Sequence, residues 1–141
     1  MRTIAPILRL SHTDQQALLP HTHITRYGTD EALQYAGQVP KRMMFIVAGR
    51  VRLTALTDDG STIAFRTLEV GDFLGQTALT REPVSATAHA LEEVTVLQIA
   101  REYVEELVAR KPLLLQEIGR AIEERRASLR QALAAAGQPT S

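Results

Sequence analysis

No cysteine occurs in the 141 residues, so neither a disulfide framework nor a thiolate metal site is available. Net charge is also lacking. Sixteen basic residues cancel sixteen acidic ones, which argues against broad binding to nucleic acid or to an anionic membrane surface. No apolar run approaches the roughly 20 residues of a membrane span. The stretch Met1–Leu10, broken by Pro6 and Arg9, is too short and interrupted for a secretory signal. The expectation is a soluble, cytoplasmic chain. Core-forming matter is plentiful, since hydrophobic residues make up 45%, enough to exclude disorder. At this length the chain is one domain, or one domain with an appended helix.

Ser11 followed by Asp14 has the spacing of a capping box, and a short helix through Leu18 and Leu19 would stop before Pro20. From Ile24 the texture changes to short β-type runs at Ile24–Tyr27, Ala32–Ala36, Met43–Ala48, Val51–Leu56, Thr62–Leu68 and Val94–Ile99. Turn residues punctuate them, at Gly28–Asp30, Gly37–Pro40, Asp58–Ser61 and Val70–Asp72. Val51, Leu53 and Ala55 alternate with Arg52, Thr54 and Leu56, as in a half-buried strand. Asp59-Gly60 between two such runs is the strongest hairpin signal. Short strands without crossover helices speak against an α/β fold and point to an antiparallel barrel or jelly roll, mostly β with flanking helices.

After Ile99 the period becomes helical. Tyr103, Leu107 and Val108 share a face, and Lys111-Pro112 breaks the helix. A second helix carries Leu115, Ile118, Ile122, Leu129 and Leu133 as an apolar stripe, interrupted by Arg125 and Arg126. It is expected to pack on its own barrel; the alternative is the seam of a homodimer. The basic set Arg101, Arg110, Lys111, Arg120, Arg125, Arg126 and Arg130 interleaves with glutamates, the pairing of a solvated helix face. Ala134–Ser141 should fray.

Catalytic and metal constellations are poor. His21 and His23 would share a strand face but have no third ligand nearby in sequence. Ser85, His89 and Asp72 hold the residue types of a hydrolase triad without a Gly-x-Ser-x-Gly elbow. No enzyme activity, metal or cofactor is expected.

The segment Gly71–Ala90 is more informative. It joins a strand-turn glycine to a small-residue helical turn and then to a proline-led extended run. That layout presents bare backbone N–H groups at a helix start, a cradle for phosphate. With the flanking elements, the chain from about Ser11 to about Leu133 resembles a cyclic nucleotide-binding domain, as found in cAMP-responsive regulators, kinase regulatory subunits and gated channels. The residues that carry the resemblance are Phe45-Ile-Val-Ala-Gly-Arg-Val51 in a hairpin and Gly71-Asp-Phe-Leu-Gly75 entering a phosphate cassette. Thr77-Ala-Leu79 stands for the cassette helix, and Pro83-Val-Ser-Ala-Thr87 for its exit.

The resemblance implies four segments: an N-terminal helical stretch (1–23), a β-roll (24–99), hinge and lid helices (100–134) and a flexible tail (135–141). It places a cyclic nucleotide, or a related small anion, against Phe73, Leu74, Gly75, Gln76, Thr77, Ala78, Leu79, Arg81, Val84, Ser85 and Ala86. Two of these depart from the family pattern. Gln76 stands where an acid usually accepts from the ribose 2′-hydroxyl, and Val84 where an arginine usually pairs with the phosphate. A hydrogen bond to a charged group contributes roughly 1.5–3 kcal/mol, so losing the arginine implies about ten- to a hundred-fold weaker binding. Arg81 is a substitute cation to consider, and Ser85 favours cAMP over cGMP. The implied mechanism has the hinge around Leu97–Tyr103 repack while Lys111–Leu133 swings towards the pocket. The alternative is a degenerate domain kept for structural or protein–protein contact. No helix-turn-helix follows, so DNA binding by this chain is not expected. The regulatory end of a larger protein, such as a bacterial channel or transporter, fits the resemblance, with no membrane contact by this chain itself.

Overall fold

The computed structural model describes residues 19–137. The expected capping box at Ser11 and the expected helix up to Leu18 lie outside them; at Leu19 the chain forms a 3-10 turn that runs on through Pro20, where the helix was expected to stop. This 3-10 turn, Leu19–His21, leads into the eight strands of the described residues: β1 (Thr22–Tyr27), β2 (Ala32–Gln34), β3 (Arg42–Ala48), β4 (Val51–Leu56), β5 (Thr62–Leu68), β6 (Phe73–Leu74), β7 (Thr87–Ala90) and β8 (Val94–Ala100). Two helices follow, α1 (Arg101–Arg110) and α2 (Pro112–Ala135). The strands form two antiparallel four-stranded sheets, ordered β1-β8-β3-β6 and β2-β7-β4-β5. This is the expected jelly-roll type of β-roll with C-terminal helices.

The unbroken apolar run Met43–Ile46 explains how the two layers meet. Met44 and Ile46 face the roll interior with Val51, Leu53, Leu68, Val94 and Val96. Met43 and Phe45 point the other way, into a second core with Phe73, Ile99, Val104, Leu107, Leu114 and Ile118. A strand buried on both faces has no use for polar alternation. β3 is therefore the wall shared by the roll and the helices.

Local chemistry sets several boundaries. The hairpin between β4 and β5 turns at Asp59-Gly60, with Gly60 at φ +87°. The Asp59 carboxylate accepts from the Ser61 N–H and from the Thr57 hydroxyl, and these bonds hold its pKa below the usual value. β2 stops at Gln34, short of the expected Ala36, because side chains divert the backbone: Tyr35 N–H donates to Gln38 Oε1 at 2.8 Å and Ala36 N–H to Thr87 Oγ1 at 3.0 Å. Ala134 and Ala135, expected in a frayed tail, continue α2 as good helix formers.

The helices also correct the expected phase. On α1, Val104 and Leu107 are buried, flanked by Tyr103 and Val108. On α2 the buried positions are Leu114, Ile118 and Arg125, with Ala121 and Ile122 packed beside them. Leu115, assigned to the apolar stripe, is 50% exposed, since the helix turns Leu114 to the core instead. Thus α2 packs on its own roll, as expected, through a face one residue out of register at its start. Arg125 belongs to that buried face and not to a solvated one.

Candidate functional site

The site begins with a glycine. Gly75 follows β6 in the left-handed region, at φ +76°, and a Cβ there would collide with the Arg42 carbonyl oxygen of β3. Only glycine lets the chain turn this close to the shared wall. The 3-10 turn Gln76–Leu79 starts at once, locked by Ala78 N–H to Gly75 O at 3.0 Å and by a fully buried Ala78 side chain. The first N–H groups of such a turn have no acceptor within it. In this turn they are those of Gln76 and Thr77.

Arg81 then takes a left-handed conformation, φ +58°. The exit segment is held by paired backbone bonds: Val84 N–H to Gln38 O and Gly37 N–H to Val84 O, each 2.8 Å. Between the turn, the exit and α2 lies a cavity of ≈ 370 Å³. Gln76, Thr77 and Ser85 line it from the cassette, Phe65 from β5, and Ile122, Arg125 and Leu129 from α2.

Three charged residues belong to the lining, of which Glu82 and Arg126 are exposed and Arg125 alone is buried. The side chain is only 7% exposed, its guanidinium carbon lies 4.5 Å from the centre of the Phe73 ring, and Nη1 donates to Gln76 Oε1 at 3.3 Å. Burial, reinforced by the charge of Arg66, pulls its pKa down to about 10, with Asp72 and Glu124 acting the other way. It remains a cation at neutral pH. Its Nη2 and the Thr77 Oγ1 are both buried without a hydrogen-bond partner. An unpaired buried donor on a cation is costly to leave unmet. Both residues belong to the cavity lining, which thus brings a buried cation and an unpaired hydroxyl to one place.

Of the residues expected at the site, Gln76, Thr77 and Ser85 line this cavity, and Phe73 lies beneath Arg125. Leu74 and Ala86 are buried in the roll core, while Ala78 is buried in the turn and Leu79 packs beside the helix-side core. Arg81 does not line the cavity: its guanidinium, 61% exposed as a side chain, is 3.9 Å from Glu105 of α1. Val84 is 5% exposed and lines a different cavity. Sequence reasoning missed Arg125, Phe65, Ile122 and Leu129. The available signal was Arg125 sitting three residues after Ile122, inside an apolar stripe.

The other candidates disperse. His21 stacks on Tyr103 at 3.7 Å between ring centres, and His23 is exposed. Among the described residues no cluster of His, Asp or Glu could hold a metal ion. Asp72 accepts from the Glu69 N–H, closing a turn. No helix among the described residues is long and apolar enough to cross a membrane.

Comparison with known proteins places this geometry. The cAMP-activated global transcriptional regulator CRP of Pasteurella multocida is 25% identical over 109 residues, which cover 76% of this chain and 52% of that protein. The chain thus spans about half the length of the curated relatives it matches. The crystal structure of the Thermus thermophilus catabolite activator protein superposes with a TM-score of 0.74 at 24% identity, covering 93% of this chain and 63% of that one. A regulatory subunit of a cAMP-independent protein kinase A from Trypanosoma brucei reaches 0.72 at 16% identity, covering 82% and 43%. These relatives are named as a transcriptional regulator, an activator and a regulatory subunit. One is named for its activation by cAMP and another for its independence of it, so the shared fold leaves the ligand to the site chemistry. With the cyclic nucleotide-binding domain matched over residues 24–111, from β1 to the N-cap of α2, this chain belongs to the cyclic nucleotide-binding domain family.

Proposed function

We propose that the domain is a sensor of a small phosphate anion of the cyclic nucleotide class, with the cation supplied by α2. The carrying observation is Arg125, buried and charged with an unpaired Nη2, lining the same cavity as Thr77, whose Oγ1 is also unpaired. In this reading the Gln76 and Thr77 N–H groups and the Thr77 hydroxyl take the phosphate from one side and Arg125 takes it from the other. Gln76 Oε1 accepts from a ribose hydroxyl, and Phe65, Ile122 and Leu129 provide the apolar walls for a base. The volume lies within the range of small-molecule sites. A phosphate would offset the desolvation of Arg125, and because that cation rides on α2, occupancy would tighten the docking of the helix on the roll. Arg125 restores part of the charge assistance missing at Val84. Gln76 remains an uncharged acceptor, which keeps affinity below that of a carboxylate at the same place. Ser85 and the cAMP-activated relatives put cAMP ahead of cGMP.

One observation favours a second reading. Arg125 already stacks on Phe73 and bonds to Gln76, so α2 is docked through contacts of the chain's own. A degenerate domain, kept as a structural or protein–protein module, would look the same. Calorimetric titration with cAMP and cGMP, paired with thermal shift, separates the two. Saturable heat with a raised melting temperature supports sensing; no heat and no shift at millimolar nucleotide leaves the degenerate reading.

A further inference from the structure

Behind the cassette exit lies a second cavity of ≈ 470 Å³, larger than the cassette cavity. It forms where β2 of one sheet faces β1, β3 and β8 of the other, and the loop from Gln38 to Arg42 makes its lip. Its apolar wall comes from Leu33, Met44 and Val84, exposed by only 8%, 8% and 5%. The lip is fixed: Gly37 and Gln38 exchange backbone bonds with Val84, both at 2.8 Å. The charged residues of the lining are Lys41 and Arg42, both exposed, and no carboxylate lines the cavity. In a chain whose charges cancel overall, that is a local excess of positive charge beside an apolar wall.

We propose that this cavity binds a small monoanionic amphiphile, a carboxylate on a short aliphatic body, distinct from the phosphate site. The body lies against Leu33, Met44 and Val84, and the carboxylate meets Lys41 and Arg42 at the mouth. The three wall residues, nearly closed, offer the body a small apolar contact, and the two cations select the sign of the head group. Val84 then has a role of its own as part of this wall, at the place where the cassette exit separates the two cavities. Its neighbours in sequence, Pro83 and Ser85, line the phosphate side.

The test titrates the isotope-labelled domain with hexanoate, hexylammonium and hexanol, following backbone amide shifts. Hexanoate is expected to give saturable shifts in residues 38–44 and at Val84, with an affinity about tenfold above that of hexylammonium. The double variant Lys41→Glu, Arg42→Glu alters exposed side chains only and should reverse that preference. Arg125→Met should leave hexanoate binding unchanged, which separates this site from the phosphate reading. Equal affinity for the two charged probes, an unaltered preference in the double variant, shifts confined to the cassette, or no saturable shifts with hexanoate would each overturn the proposal.

Discussion

The cassette turn and helix α2 face each other across one cavity and divide its chemistry. The turn contributes backbone donors and a hydroxyl within a few consecutive residues, set by Gly75 and the tightly packed Ala78. The helix contributes the cation and the apolar wall from residues spaced along one face, with Arg125 and Gln76 49 positions apart in sequence. Backbone-based recognition is written locally and survives side-chain change. Charge can be supplied from any element that reaches the same volume. On the proposed reading, Arg125 supplies from α2 a charge that Val84 cannot.

Disabling the turn should have the largest effect. Gly75→Ala forces a Cβ into the Arg42 carbonyl at a left-handed position and is expected to cost about 3 kcal/mol. Urea denaturation would measure it, and a loss under about 1 kcal/mol would mean that the turn is not set by this contact. Restoring the family residue at the exit comes next. Val84→Arg puts a cation into a buried position whose cavity already holds Lys41 and Arg42. It is expected to lower stability by about 1–3 kcal/mol without improving nucleotide affinity, alone or with Gln76→Glu. Improved affinity would show that the exit segment can still serve the phosphate.

How much of this was legible in the sequence follows the same division. The run Met43–Ile46, the Asp59-Gly60 hairpin and the stretch from Gly71 to Gly75 carry their structural reasons in neighbouring residues, so the fold and the turn could be anticipated. Arg125 had only its place in the apolar stripe to mark it, because its burial depends on Phe73 and Gln76, brought to it by the tertiary fold. The match to the family also ends at residue 111, ahead of it. Charge patterning along α2 suggested a solvated arginine, and the packing of the helix overrode that pattern. The exposed Leu115 has a related cause: three consecutive leucines fit the stripe in more than one phase, and contact with the roll selected Leu114.

A smaller effect concerns the helix side alone. Arg66 of β5 donates to Ser128 Oγ at 2.7 Å and lies 3.7 Å from the Glu124 carboxylate. Arg66→Ala should cost about 1 kcal/mol or less at this partly exposed pair. It should raise hydrogen exchange in the C-terminal half of α2 while sparing α1. Uniform exchange changes in both helices would contradict a local clasp.

The smallest effect is on pH dependence. Burial lowers the pKa of Arg125 to about 10, so its cationic form is disfavoured by folding. That cost is present below the folded pKa and is relieved as pH rises through about 10. Phosphate binding needs the cation, so nucleotide affinity should stay flat through neutral pH and fall as pH passes about 10. A fall centred near the histidine range would point to another group.

The central claim is that the cation of this cavity comes from α2. The most direct measurement compares cAMP titration of the native domain with that of Arg125→Met, a side chain of similar reach without charge. The expected result is saturable binding to the native domain, roughly ten- to a hundred-fold weaker in the variant, with the variant at least as stable because a buried, partly unpaired charge is gone. Equal affinity in the two proteins would contradict the claim.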